Sequence, residues 1–121
     1  MAPPRLHLDA DTSIKALHMA LGTHGHDITY TPNAWIAHDA SDTEQLFGAT
    51  AQGRVLFIFN THDFPVLAQQ YPYHGGLVLA AQRRWTLSQL IAALDCLLSE
   101  TKAADWPGQV RWLNQWRRTR T

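Results

Sequence analysis

Acidic residues gather in three short clusters, Leu8-Asp9-Ala10-Asp11, Ser41-Asp42-Thr43-Glu44 and Asn60-Thr61-His62-Asp63-Phe64. Each follows a stretch that reads as the end of a β-strand or the start of a helix. Carboxylates that converge repel one another unless a cation lies between them. An all-oxygen donor set of this kind calls for a hard ion such as Mg²⁺ or Mn²⁺. Local structure also accounts for some of these acids. Ser41 and Glu44 fit a capping box, a helix N-terminus favours Asp42, and Asp63 reads as an N-cap. Asp9 is harder to explain that way, because an acid ending a strand beside Leu8 gains little from its placement.

Seven histidines invite a zinc reading, above all His24 and His26 with His38 or His74. Their spacing fits no standard zinc pattern and cysteine support is absent, so the loop histidines read as solvated turn residues. His62 differs because it adjoins Asp63 and is placed to contact phosphate. Arg83-Arg84-Trp85 follows a strand and offers either a grip on a nucleic-acid backbone with a stacking ring, or a surface pair beside a packed indole. Five tryptophans in so short a chain provide material for a partner surface.

The elements that must position these groups alternate. Arg5 to Asp9 reads as a short strand. Thr12 or Ser13 caps a helix with Ile14, Leu17 and Leu21 on one face, and Gly22 and Gly25 end it. Asp27 to Thr31 is a second strand, and the path through Trp35 to His38 is open. A helix from Ser41 to about Gln52 closes at Gly53. Val55 to Phe59 is apolar on both alternating faces, as a central parallel strand would be. A short helix from Asp63, a strand Leu77 to Ala80 and a longer helix from Leu87 to about Ser99 follow. Val110, Leu113 and Trp116 have helical spacing and predict a final helix over 107–118, with a frayed tail from Arg117 to Thr121. The order predicts an α/β fold: one three-layer α/β/α domain over 1–121, its core at about 5–100, with a mostly parallel sheet of four to five strands. If strands one and three are neighbours, the crevice beside them is the expected ligand position.

The bulk composition is that of one ordinary globular domain, 45% hydrophobic and 17% charged. Ten basic and ten acidic residues cancel, so no long-range field advertises a polyanionic partner. The arginines concentrate after residue 80, which leaves room for a local basic surface beside the acids. Cys96 lies in an apolar run and reads as a small buried hydrophobe. No apolar stretch approaches the roughly 20 residues that span a bilayer, and the N-terminus lacks a signal-type apolar region; the expected location is cytoplasmic, with no membrane partner.

In order and spacing, several motifs resemble the DUF5615 PIN-like family: Leu8-Asp9-Ala10-Asp11, Gly25-His26-Asp27-Ile28, Ser41-Asp42-Thr43-Glu44-Gln45-Leu46, Ala51-Gln52-Gly53-Arg54-Val55-Leu56, Phe59-Asn60-Thr61-His62-Asp63-Phe64 and Gly76-Leu77-Val78-Leu79-Ala80. The resemblance runs from about Leu6 to Leu98. It implies a PIN-like fold, Mg²⁺- or Mn²⁺-dependent cleavage of an RNA substrate, and a toxin of a toxin–antitoxin pair. Carried over, Asp9, Asp42 and Asp63 become metal ligands and catalytic acids. Asp11 and Glu44 are auxiliary, Asn60 and Thr61 orient water, and Arg83, Arg84 and His62 contact the nucleic acid. Thr61 departs from the pattern, because many relatives carry a further acid there. That departure motivates the alternative of a catalytically weak PIN-like protein that binds RNA or a protein partner. Trp106, Trp112 and Trp116 would then pack the last helix or contact a cognate antitoxin or a homodimer mate. A receiver-like phosphoacceptor is a third reading. It needs a lysine after the last strand, yet the only lysines are Lys15 and Lys102, and arginine is no substitute.

Overall fold

Val55-Leu56-Phe57-Ile58 is apolar at every position, and it can be buried at every position only inside a sheet covered on both faces. The structure, a computed structural model, describes residues 2–117 and places this segment at the centre. Five strands form one all-parallel sheet: β1 (Leu6–Leu8), β2 (Ile28–Thr29), β3 (Val55–Ile58), β4 (Leu77–Leu79) and β5 (Val110–Trp112), in the order β2-β1-β3-β4-β5. Four helices cover it: α1 (Lys15–Thr23), α2 (Asp42–Ala51), α3 (Asp63–Gln70) and α4 (Leu87–Glu100). The three-layer α/β/α expectation holds, and strands one and three are neighbours, with Leu6 opposite Val55 and Leu8 opposite Phe57.

Side-chain alternation divides the interior into two cores. Leu6, Leu8, Val55, Phe57, Val78 and Ala80 face α1 and α4, where Leu17, Leu21, Leu90, Leu94 and Leu97 meet them. Leu56, Ile58, Leu77 and Leu79 face the other way, onto Leu46 and Ala49 of α2 and Phe64 and Ala68 of α3. Each fully buried Leu or Phe contributes roughly 1.5–3 kcal/mol, so the two cores hold every helix to the sheet.

Two helices begin as their sequences dictate. The Ser41 hydroxyl accepts the Glu44 N–H, and the Glu44 carboxylate accepts the Ser41 N–H at 2.9 Å. Thr86 and Gln89 form the same reciprocal box at α4. The other two starts differ from expectation. Neither Thr12 nor Ser13 caps α1, whose N-cap is Ile14, because both hydroxyls are committed to the chain leaving β1. Nor does Asp63 cap α3; it is the first helical residue, and Asn60 Oδ1 accepts the N–H groups of His62 and Asp63 instead.

The final helix expected over 107–118 is not formed. Gly108, at a φ of +76°, turns the chain. Val110–Trp112 then runs as β5 beside β4, and Leu113–Trp116 makes one 3₁₀ turn. Valine and tryptophan suit an extended edge, and the tight turn still delivers Leu113 and Trp116 to the core. The tail beyond Arg117 lies outside the described residues. Trp106 is also buried, its indole N–H donating to Thr101 at 2.9 Å, whereas Trp112 is largely exposed. Cys96 is half-buried rather than buried, and its thiol donates to Glu100 one turn along α4. Among the described residues no helix is long and apolar enough to cross a membrane.

Gly76 shows how close the packing is behind β4. Its φ is +118°, and a Cβ there would lie 2.9 Å from that of Trp106. Gly76→Ala is expected to cost roughly 2–4 kcal/mol through backbone strain and overpacking. Gly22→Ala, in α1 with open space around it, should stabilise by up to about 1 kcal/mol. Urea unfolding of the two variants beside the parent protein checks the contrast.

Candidate active site at the carboxyl edge of the sheet

In a parallel sheet every strand releases its chain at the same edge, and here that edge collects the acids. Asp9 leaves β1 and is buried to within 7% of its surface. One carboxylate oxygen accepts both the backbone N–H and the hydroxyl of Thr12, each at 3.0 Å. The same hydroxyl lies 2.9 Å from the Phe57 carbonyl of β3. It has one proton to give, so ionised Asp9 takes that proton and leaves the carbonyl short. Protonated Asp9 can instead donate to Thr12, freeing the hydroxyl for Phe57. Burial favours the neutral form more than these hydrogen bonds favour the charged one, and pushes the Asp9 carboxyl up to about 6.

Asp42 opens α2 and Asp63 opens α3. The Asn60 amide donates towards both, at 3.4 Å to Asp42 and 3.2 Å to Asp63. The pKa of Asp42 is raised first by burial and then by the negative charges of Asp63 and Asp11. Asp11 likewise opposes ionisation of Asp9. Four acids from three βα junctions therefore share one electrostatic neighbourhood. Even so, among the described residues no three His, Cys, Asp or Glu side chains lie close enough to hold one ion. Asp42 and Asp63 are the pair drawn to a common polar group. Glu44 is apart from them, spent on the α2 cap, whose hydrogen bonds hold its pKa low. Thr61 and exposed His62 occupy the turn into α3, and Arg83 and Arg84 form an exposed 3₁₀ turn after β4. Trp85 is not a stacking platform: it is buried, and the Arg117 guanidinium lies 3.7 Å over its ring.

Sequence reasoning missed His7. It sits in β1 on the face turned to α2, fully buried, where every counterpart on β3 and β4 is aliphatic. Its ring nitrogens meet Thr29 at 2.8 Å and Gln45 at 3.0 Å, and Thr31 closes the network. The only signal was a histidine between two leucines in a strand. Burial, chiefly, lowers the His7 pKa to about 4, so the ring is neutral near pH 7. His26 is not a solvated turn residue: it meets the Asp95 carboxylate of α4 at 2.7 Å, a hydrogen bond that leads in keeping the Asp95 pKa low, whereas His24 is an exposed turn residue 3.3 Å from the same carboxylate. Neither lysine follows the last strand, since Lys15 opens α1 and Lys102 precedes β5.

The chain matches no family model, no curated protein and no solved structure. The likeness to PIN-like proteins therefore rests on the ordered motifs and on an architecture consistent with them.

Asp9 and His7 give stability opposite dependences on pH. An acid with a raised folded pKa binds its proton more tightly when folded, so its contribution is present below about pH 4 and lost as pH rises through about 6. A histidine with a depressed pKa contributes above about 6.5 and loses that contribution as pH falls towards 4. Asp9→Asn should accordingly be more stable than the parent by roughly 2 kcal/mol at neutral pH, with the gap closing near pH 4. It should also lose stability more steeply on acidification, because the Asp9 effect no longer opposes that of His7. Urea unfolding across that pH range measures both differences.

Proposed function

We propose that this edge is a divalent-cation site for phosphodiester cleavage, and that the protein is a PIN-like ribonuclease. The observation that carries the reading is the Asn60 amide drawn towards both Asp42 and Asp63, where the charges of Asp63 and Asp11 oppose ionisation of Asp42 and that of Asp11 opposes ionisation of buried Asp9. Such an arrangement costs stability, and among the described residues no basic side chain pairs with these acids. Asp42 and Asp63 would hold Mg²⁺ or Mn²⁺, and Asp9 and Asp11 would take hydrogen bonds from its water, a donor set that suits an ion retaining much of its hydration. A bound ion of this kind supplies positive charge against the scissile phosphate and lowers the pKa of the attacking water. Asn60 positions the two acids, and Arg83, Arg84 and His62 flank the edge where a phosphate backbone would pass.

A second reading keeps the surface and drops the turnover. Thr61 supplies no charge where a further acid would, and among the described residues no three donors stand close enough to hold one ion. Binding of RNA or of a protein partner would then be the function. The family likeness extends the first reading to a toxin held by a cognate antitoxin. A protein partner would find apolar surface between α2 and α3, where Phe47, Tyr71 and Tyr73 line a groove of about 330 Å³.

Incubation of an unstructured RNA with the protein and Mn²⁺ separates these readings. Cleavage is expected that chelator abolishes, and that falls at least about a hundredfold in Asp63→Asn and Asp9→Asn while both variants stay folded. Cleavage equal in all three proteins would sink the nuclease reading. Calorimetry with no Mn²⁺ binding at millimolar concentration would favour binding without turnover.

A further inference from the structure

The loop after β2 carries a second feature of the same edge. Tyr30 is 44% exposed and stacks on His18 of α1, the ring centroids 4.3 Å apart and the planes 14° from parallel. Trp35 stands across a short turn. It is seated at α2 against Gly48, where an added Cβ would lie 3.1 Å from its ring, and on the His7 imidazole at 4.5 Å. Between them is a pocket of about 220 Å³ lined by Ile28, Thr29, Tyr30, Asn33, Ala34 and Trp35. The turn is held by its own bonds: Asn33 donates its amide to the Tyr30 carbonyl, accepts the Trp35 N–H, and pairs through its backbone with Ile36.

We propose that this pocket is a nucleobase-stacking subsite of the acidic edge, a proposal that rests on the nuclease reading for its substrate. Three observations select a base over other occupants. No lining residue is charged, which disfavours a phosphate. Two aromatic rings, Tyr30 and Trp35, stand in the lining and are already held by His18, His7 and Gly48, so stacking costs little rearrangement, and the Tyr30 hydroxyl and Trp35 indole N–H have no partner among the described residues. The loop is also fastened to the acid site. The Thr31 N–H donates to Ser13 at 2.9 Å, Ser13 donates to the Asp9 carbonyl at 2.6 Å, and the Thr31 hydroxyl donates to that of Leu8. Across the order β2-β1-β3-β4 the edge thus presents aromatic rings, then acids, then the exposed Arg83-Arg84 pair. An unpaired strand laid along it would stack a base on one flank of the acids and rest phosphates on the other.

The test is fluorescence-anisotropy binding of a short unstructured oligoribonucleotide and of its abasic ribose-phosphate counterpart, in chelator so that nothing is cut. The parent protein should bind the base-bearing strand about tenfold more tightly. Tyr30→Ala should abolish that preference and Tyr30→Phe should keep it. Tyr30→Leu, which keeps an apolar side chain, serves if the alanine variant fails to fold. Equal binding of the two strands, no binding, or a preference surviving in Tyr30→Ala and Tyr30→Leu overturns the proposal and leaves the aromatic walls to a protein contact. Base-dependent binding without Mn²⁺-dependent cleavage would refute the nuclease reading alone, and cleavage without base preference would refute the subsite alone.

Discussion

Parallel pairing of β1 with β3 is the constraint on which the candidate site depends. Leu6, His7 and Leu8 lie opposite Val55, Leu56 and Phe57. That register delivers the chain after Leu8 and the chain after Ile58 to the same edge, side by side. Asp9 and Asp63 are distant in sequence and have no local reason to meet. Apolar burial of β3 on both faces supplies the reason, because it obliges the other strands to add on either side through crossover helices. Asp42 joins them because α2 must begin at that edge to return the chain to the start of β3.

The same packing sets a conflict at Asp9. The fold buries a carboxyl against Thr12 and β3, and the burial opposes its ionisation. His7 stands in the reverse position, held neutral by burial against the opposing pull of its hydrogen bond to Gln45. The network of His7, Thr29, Thr31 and Gln45 joins β1, β2 and α2 on the side of the sheet where Asp42 enters its helix. Gln45 lies one turn from Asp42, so the network fixes the start of α2 relative to the exit of β1. A leucine at position 7 would fill space there without setting that relation, since dispersion contacts are far less directional than a hydrogen bond.

Local signals in the sequence were read correctly where both partners were near each other. The Ser41–Glu44 box is a four-residue pattern, and α2 starts where that pattern places it. β3 and β4 declared themselves by continuous apolar character. The misreadings came where one residue type serves two geometries. Val110, Leu113 and Trp116 recur every third residue, which suits a helix, yet a strand followed by a 3₁₀ turn buries Leu113 and Trp116 equally well. An acid before a helix reads as a cap, but at α3 the asparagine three residues earlier does the capping and leaves Asp63 facing the acids. Asp95 as the shared partner of His24 and His26 was illegible, since nothing local links the α1–β2 loop to α4.

Asn60 ties these points together. Its carbonyl oxygen closes the turn into α3, so its amide nitrogen has little freedom and must lie between Asp42 and Asp63. A neutral amide placed there offsets part of the repulsion between two carboxylates, though far less than a divalent ion would. The protein thus keeps a tolerable arrangement of acids with or without a cation. Under the proposed reading the Asn60 side chain would yield as an ion took over the two carboxylates, which would set the stability of its turn against cation affinity. An acid at Thr61 would raise the repulsion and with it the drive to bind an ion. Threonine adds no such charge, so under the proposed reading the segment from Asn60 to Asp63 is where the balance between turnover and binding alone would be set.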